Sequence, residues 1–205
     1  MPGEPTLPAR VPLLIVISGP SGVGKDSVLH CMKERGLPFH FVVTATSRER
    51  RPEEVDGQDY IFVSRQAFQA MVEAGEFLEH ALVYNQYKGI PRQQVRQALA
   101  SGEDVVMRID VQGAQTVRRL CPQAVLIFLT TRDEDELRRR LQNRRTESDE
   151  ALRLRLATAR DERAALPVFD YLVVNADGAL EQAVDTIEAV IEAEHHRVEP
   201  RRVSL

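Results

Sequence analysis

Residues 19–25, with the sequence Gly-Pro-Ser-Gly-Val-Gly-Lys, constrain the fold of this chain more than any other segment. They match the pattern G-x-x-x-x-G-K between an apolar run at 13–18 and helically spaced residues from 25 onwards. A strand, a glycine-rich turn and a helix in this order direct backbone N–H groups and a helix N-terminus at phosphate oxygens. An ordinary glycine-rich turn explains the glycines but not the lysine. We therefore predict nucleotide polyphosphate contacts from Gly19, Pro20, Ser21, Gly22, Val23, Gly24, Lys25, Asp26 and Ser27.

Asp26 departs from the common form of this loop, in which a Ser or Thr hydroxyl follows the lysine and binds Mg²⁺. A carboxylate is a good hard-oxygen ligand for Mg²⁺, either directly or through a water. Without the metal, the same carboxylate would repel the phosphates beside it. We therefore expect Asp26 to lie in the coordination sphere of a Mg²⁺ ion.

The rest of the chain alternates short apolar runs with helical stretches, which is typical of a parallel sheet covered by helices. Further strands are expected at 39–44, 105–109, 124–130 and 171–174, and helices at 25–35, 92–100, 112–120, 134–143, 150–164 and 180–194. We predict an α/β fold with a parallel sheet, helices on both faces, a small mostly β insertion and a helical lid. The predicted parts are a flexible N-terminal tail (1–12), a core (13–46 and 90–196), the insertion (47–89), a lid within the core (about 138–163) and a C-terminal tail (197–205).

Composition excludes several classes of protein. The net charge of −4 argues against a protein that coats nucleic acid, and no apolar run is long enough to span a membrane. Cys31 and Cys121 are too few for a disulfide framework, and the N-terminus has the features of neither a signal peptide nor a presequence. We expect a cytoplasmic protein without nucleic-acid or membrane partners. The adjacent His195 and His196, at the boundary between the core and the C-terminal tail, are interpreted as tail residues rather than ligands.

Four downstream segments occur in an ordered set that is more specific than the loop alone. They are 47–60 (Ser-Arg-Glu-Arg-Arg-Pro-Glu-Glu-Val-Asp-Gly-Gln-Asp-Tyr), 77–80 (Phe-Leu-Glu-His), 87–89 (Tyr-Lys-Gly) and 109–113 (Ile-Asp-Val-Gln-Gly). With them the chain resembles the guanylate kinases from residue 13 to about 194. The resemblance implies Mg²⁺-dependent phosphoryl transfer from ATP to GMP or dGMP, with the insertion closing over GMP and the lid over ATP. We expect a monomer or a homodimer.

The resemblance assigns the acceptor site residue by residue. It makes Arg48, Arg51 and Tyr60 binders of the GMP phosphate, helped by Thr44, and it makes Glu79 the reader of guanine. A guanidinium suits bidentate phosphate contacts, and a carboxylate accepts from the guanine N1 and N2 donors, which adenine cannot match. The same alignment places Asp110, a second acid, near the base. It also places Lys88 at the acceptor phosphate, where the family usually has Tyr.

On the donor side, the resemblance implies that lid arginines act on the transferring phosphoryl group together with Lys25. The aligned residues are Arg140, Arg144 and Arg155. Charge that builds on the phosphoryl oxygens is stabilised by such positioned guanidinium groups. Asn175, after the last strand, resembles the family's contact on the adenine side.

Some positions depart from the family pattern, and two other functions stay open at this stage. Ile90 replaces a Ser or Thr that would bond the base, and Arg108 stands where an acid is common. A kinase of ribose bisphosphate shares the fold and often has Asp at position 26, but it needs no guanine reader. A noncatalytic guanylate-kinase-like binding module typically lacks the phosphate loop and the lid arginines that this chain retains.

Overall fold

The computed structural model describes residues 10–83, 85–142 and 149–205. Its strands are β1 (Leu14–Ser18), β2 (Phe39–Phe41), β3 (Ala45–Thr46), β4 (Ile61–Phe62), β5 (Phe77–Val83), β6 (Gln86–Pro91), β7 (Asp104–Arg108), β8 (Val125–Thr130) and β9 (Tyr171–Val174). Its helices are α1 (Lys25–Glu34), α2 (Arg65–Glu73), α3 (Arg92–Ser101), α4 (Val111–Leu120), α5 (Glu134–Gln142), α6 (Asp149–Arg163) and α7 (Leu180–His195), with a 3₁₀ turn at Leu166–Val168.

The larger sheet is parallel and has the strand order β2-β7-β1-β8-β9. Every residue of its central strands β1 and β8 is buried. Strands covered by helices on both faces require continuous apolar runs, which explains the sequences Leu-Ile-Val-Ile-Ser and Val-Leu-Ile-Phe-Leu-Thr. The predicted α/β fold with a parallel sheet is confirmed.

The topology brings two loops together at one edge of this sheet. β1 and β7 are parallel neighbours, with Ile17 opposite Arg108. The glycine-rich loop follows β1, and Ile109 and Asp110 follow β7. Because ligands of open α/β sheets bind outside the carboxyl ends of the strands, this edge is where a site is expected.

A second, four-stranded sheet has the order β4-β3-β6-β5 and carries α2 on its apolar side. Phe68 of α2 stacks on Phe77 and on Tyr87, with ring centroids 4.5 and 5.2 Å apart. The sequence predicted this mostly β unit but not β6. That strand has no alternating apolar pattern, and it is formed by antiparallel pairing with β5.

The last residues of the chain pack against the core. Arg201 donates to the buried carboxylate of Glu194 at 2.8 Å, and Val203 and Leu205 contact the apolar cluster beneath α3 and α4. The interpretation of His195 as a tail residue is wrong, because α7 extends to His195 and its imidazole lies 2.7 Å from Asp104 at the start of β7. No helix in the described ranges is both long and apolar enough to cross a membrane.

Candidate active site

A pocket of about 290 Å³ lies between the glycine-rich loop, the carboxyl end of β7 and the second sheet. Six cationic and four acidic side chains line it: Lys25, Arg48, Arg51, Lys88, Arg108, Arg155, Asp26, Glu54, Asp110 and Glu162. Gly19, Ser21, Gly22, Gly24, Ser27, Thr44 and Tyr60 complete most of the wall. The structure therefore brings the predicted donor loop and most of the predicted acceptor residues to one cavity.

The loop needs glycine at its first position for a steric reason. Gly19 has φ 138°, and a Cβ there would lie 2.1 Å from the carbonyl oxygen of Leu129. Lys25, at the start of α1, donates to the carbonyl oxygens of Gly19 and, at 2.9 Å, of Pro20. Burial lowers the pKa of Lys25 to about 8, while the carboxylate of Glu162 on α6 acts in the opposite direction. The ammonium group is thus held on its own loop, next to the cavity.

Two predicted donor-side residues brace the loop from behind rather than lining the pocket. Asn175 is buried, and its Nδ2 donates to the carbonyl oxygen of Val23 at 2.8 Å. Arg140 donates to the same oxygen at 3.2 Å and is paired with Glu136 at 2.6 Å and Asp177 at 2.8 Å. These contacts tie the ends of β9 and α5 to the loop.

The arginines of the predicted lid have different positions. Arg155 lies in the pocket wall, and its Nη1 donates to Ser21 Oγ at 3.1 Å. Arg144 lies outside the described residues. On α6, which also carries Arg155, burial raises the pKa of Glu162 to about 6, and Lys25 opposes this shift. Sequence reasoning missed Glu162, which looked like one of several surface acids in a charged stretch.

On the acceptor side, Glu54 organises the loop between β3 and β4. Its Oε2 accepts from Arg48 Nη1 at 2.7 Å and from the backbone N–H of Arg51 at 2.9 Å. The Arg48 guanidinium also lies 4.8 Å from the centroid of the Tyr60 ring. Glu54 was not among the predicted site residues, although its position three residues after Arg51 suits a turn that accepts from that N–H.

Two polar groups of the acceptor side are buried in a way that favours an anion. The hydroxyl of Thr44 is buried and has no hydrogen-bond partner within the described part of the chain. Burial lowers the pKa of Lys88, on β6, while Asp110 opposes this shift. A bound phosphate would give both the unpaired hydroxyl and the desolvated ammonium group a hydrogen bond, which favours binding of an anion here.

Glu79 lies outside the pocket wall, 5% exposed on β5 and close to Asp110 and Gly113. Its Oε2 is buried and finds no partner among the residues that the structure describes. Burial, and next the charge of Asp110, raises the pKa of Glu79 to about 8. A Cβ on Gly113 would lie 2.7 Å from Oε2, so only glycine leaves room for this carboxylate. Asp110 also caps α4 by accepting from the backbone N–H of Gly113 at 2.9 Å.

The structure explains one departure and adds a contact that the sequence did not predict. Ile90 is fully buried with Leu78 and Val95, so its side chain belongs to the core rather than to the pocket. Arg108 forms an ion pair with Asp26, 82 residues away in the chain.

Comparison with known proteins gives one consistent result. A family model described as guanylate kinase matches residues 12–194. Guanylate kinase 2, chloroplastic/mitochondrial, of Oryza sativa subsp. japonica is 50% identical over 203 residues, which cover 98% of this chain and 71% of that protein. The guanylate kinase of Nocardia farcinica is 47% identical over 83% of this chain and 91% of that protein. The crystal structure of guanylate kinase from Anaplasma phagocytophilum matches with a TM-score of 0.75 at 29% identity, over 95% of this chain and 90% of that one.

Proposed function

The chain belongs to the guanylate kinase family, and from this membership we propose how its residues divide the reaction ATP + GMP = ADP + GDP. The activity itself follows from the family match and from curated relatives that align over nearly the whole chain. The observation that best supports the assignment of residues is that the donor loop and the acceptor cations line one shared pocket.

Donor binding is assigned to the loop and its braces. The backbone N–H groups of residues 19–24 surround the ATP phosphates, and Lys25 leaves the carbonyl oxygens of Gly19 and Pro20 to bind the terminal phosphates. The proposal also assigns Asp26 and Ser27 to this end of ATP. Asn175 acts on the adenine side of the loop, where it keeps the Val23 carbonyl in place.

Acceptor binding is assigned to the cations of the second sheet. Arg48 and Arg51, both ordered by Glu54, bind the GMP phosphate together with Tyr60, Thr44 and Lys88. Charge-assisted hydrogen bonds of this kind are stronger than neutral ones, and a guanidinium can make two in parallel. The cluster therefore fixes the phosphate that receives the new bond.

Recognition of guanine is assigned to Glu79 with support from Asp110. In its ionised form the buried carboxylate accepts from the N1–H and N2–H groups of guanine, and this supplies the partner that Oε2 lacks in the described chain. Adenine has an acceptor at N1 and no amino group at position 2. It would leave the carboxylate unpaired, at a cost of several kcal/mol.

The lid residues Arg140, Arg144 and Arg155 are assigned to the transferring group. A GMP phosphate oxygen forms a bond to the γ-phosphorus of ATP as the bond from that phosphorus to the ADP oxygen breaks. Positioned guanidinium groups stabilise the negative charge that develops on the peripheral oxygens. Arg155 already occupies the pocket wall, whereas Arg140 lies behind the loop, paired with Glu136 and Asp177, and would have to leave these partners to reach the transferring group.

A Mg²⁺ ion fits the residues present. Within the described residues, no group of three or more His, Cys, Asp or Glu side chains could hold a metal ion on its own. Mg²⁺ in kinases is usually held by one or two carboxylates, substrate phosphates and waters, so the exposed carboxylate of Asp26 in the pocket wall is a suitable donor. When bound, the ion would supply positive charge that offsets the negative charge of the ATP phosphates.

We further propose that the insertion at 47–89 and the lid at about 138–163 close over the core at 13–46 and 90–196 when both nucleotides are bound. Closure would exclude water, which would otherwise accept the phosphoryl group. A cytoplasmic location is also proposed, since both cysteines are free thiols, as in reducing compartments. One relative is named as an organellar enzyme, so fractionation of the cells that produce this chain is the test of location.

A coupled assay tests the function and its alternatives together. Phosphoryl transfer from ATP would be measured with GMP, dGMP, AMP and ribose 1,5-bisphosphate as acceptors at several Mg²⁺ concentrations. We expect turnover with GMP and dGMP, a requirement for Mg²⁺ and a large preference over AMP. A preference for the sugar bisphosphate, or binding of GMP without turnover, would contradict the proposal in favour of a ribose bisphosphate kinase or a noncatalytic module.

A further inference from the structure

Asp26 and Arg108 form an ion pair across the carboxyl edge of the parallel sheet. Arg108 is the last residue of β7, and its register partner Ile17 lies just before the loop that leads to Asp26. The pair therefore joins the donor loop to the strand that precedes Asp110. Neither residue was predicted to contact the other.

The two partners differ in exposure. The Arg108 side chain is 15% exposed, whereas the Asp26 side chain is 69% exposed. An exposed carboxylate can exchange its partner for water at little cost, but a buried guanidinium needs an anion in contact with it.

Arg108 also reaches the acceptor side. Its guanidinium carbon lies 4.8 Å from the centroid of the Tyr60 ring, the same distance as that of Arg48. Tyr60 and Arg48 are assigned to the GMP phosphate, and Asp26 belongs to the donor loop. The guanidinium of Arg108 thus contacts both halves of the pocket.

We propose that Arg108 is a further catalytic residue of this kinase, whose guanidinium leaves Asp26 to bind the phosphate oxygens between donor and acceptor. Asp26 acts through Arg108 as a positioning residue: it holds the guanidinium at the edge of the pocket before the nucleotides enter, and it competes with their phosphates for that guanidinium. This inference rests on the proposed function of the pocket. Phosphate is the natural replacement for the carboxylate, because both accept two parallel hydrogen bonds from one guanidinium.

The first test compares Arg108→Gln and Arg108→Lys with the control Arg119→Gln. Arg119 is exposed on the last turn of α4, where it bonds Thr116, so its loss removes the same charge away from the pocket. GMP affinity would be measured by calorimetry without ATP or Mg²⁺, and kcat in the coupled assay with both present. We expect Arg108→Gln to weaken GMP binding about tenfold and to lower kcat about a hundredfold, since removal of one group that stabilises transition-state charge typically costs 10²–10³ in kcat.

Arg108→Lys keeps the charge but loses the planar fork, and it should recover part of the affinity and little of kcat. Thermal melts of the free proteins show whether each variant is folded. If Arg108→Gln or a folded Arg108→Lys matches Arg119→Gln within twofold in both GMP affinity and kcat, the inference fails. Absence of GMP turnover in the wild type and in Arg119→Gln would instead contradict the proposed function.

A double-mutant cycle tests the positioning role of Asp26 in metal-free GMP binding. Asp26→Asn releases Arg108, so we expect it to tighten GMP binding about threefold or more when Arg108 is present. In Arg108→Gln, the same Asp26→Asn change should have little effect. An equal gain in both backgrounds would show that Asp26 acts only through its own charge, and it would overturn the positioning role.

Discussion

Asn175 donates a 2.8 Å hydrogen bond from its side-chain amide to the carbonyl oxygen of Val23. The bond ties the end of β9 to the glycine-rich loop, and it leaves no room for a side chain at Gly24, where a Cβ would lie 2.4 Å from the amide nitrogen. The shape of the donor loop thus depends on a residue 152 positions away in the chain.

Asn175→Ala should weaken ATP binding and lower stability. The variant loses one buried hydrogen bond, a change of about 1–2 kcal/mol, which corresponds to a fall of about 3–6 °C in Tm for a chain of this size. We expect the KM for ATP to rise several-fold with little change in the KM for GMP. Asn175→Asp points an acceptor at the Val23 carbonyl, so it should lower Tm and raise the KM for ATP further than Asn175→Ala does. A wild-type Tm and KM for ATP in Asn175→Asp would contradict the proposed brace.

Glu54→Gln should weaken GMP binding by releasing Arg48. The carboxylate accepts from the Arg48 guanidinium and from the Arg51 N–H, so its loss leaves both groups less ordered. We expect the KM for GMP to rise about fivefold to tenfold, which is about 1–1.4 kcal/mol, with a smaller change in kcat. Glu53→Gln is the matched control, because the neighbouring Glu53 is exposed; equal effects of the two substitutions would rule out an orienting role for Glu54.

Lys88→Ala should raise the KM for GMP about tenfold, because it removes a charge-assisted hydrogen bond to the acceptor phosphate. Lys88→Tyr supplies a hydroxyl donor at the same place and should retain activity. The control is Lys33→Ala, since Lys33 lies on the exposed face of α1, 5.5 Å from the Phe41 ring. If Lys88→Ala leaves the KM for GMP at its wild-type value, Lys88 does not bind the phosphate.

Glu79 should make the free protein less stable as the pH rises. Its pKa is about 8 in the folded chain against 4.5 for the ordinary group, so the folded state binds more protons between these values. Stability from this carboxyl is therefore present below about pH 4.5 and is lost as the pH rises toward 8, on the order of 1 kcal/mol per pH unit.

The measurement is the difference in Tm between Glu79→Gln and the wild type at pH 5, 6.5 and 8 without nucleotide. Gln carries no titrating proton, so the Tm of the variant minus that of the wild type should increase by about 2–4 °C per pH unit across this window. A difference in Tm that is the same at all three pH values would mean that the carboxylate is not buried as the structure places it.

The sequence was sufficient to predict the parallel sheet and the separate β unit, and the reasons are local. β1 and β8 are continuous apolar runs, and the glycine-rich loop specifies a strand before it and a helix after it. β6 escaped prediction because Gln86, Lys88 and Pro91 carry no strand pattern, and only pairing with β5 makes this segment a strand.

Side-chain contacts within the site could not be predicted from local sequence patterns, because many of them join residues that are far apart in the chain. The Asp26–Arg108 pair follows from the parallel register of β1 and β7. The position of Glu162 near Lys25 follows from how α6 packs over the loop. The pairing of Arg140 with Glu136 and Asp177 behind the loop could not be predicted either, because the spacing of arginines in the sequence does not show which acids they contact.

We propose that Glu79 reads the acceptor base, and a ratio of two catalytic efficiencies tests this role. The ratio is kcat/KM for GMP over kcat/KM for AMP, measured in the wild type and in Glu79→Gln. An unpaired buried carboxylate supports a wild-type preference of about 10⁴. We expect Glu79→Gln to lower this preference at least a hundredfold, mainly through loss of activity with GMP. An unchanged ratio in a folded Glu79→Gln protein would mean that Glu79 does not read the acceptor base.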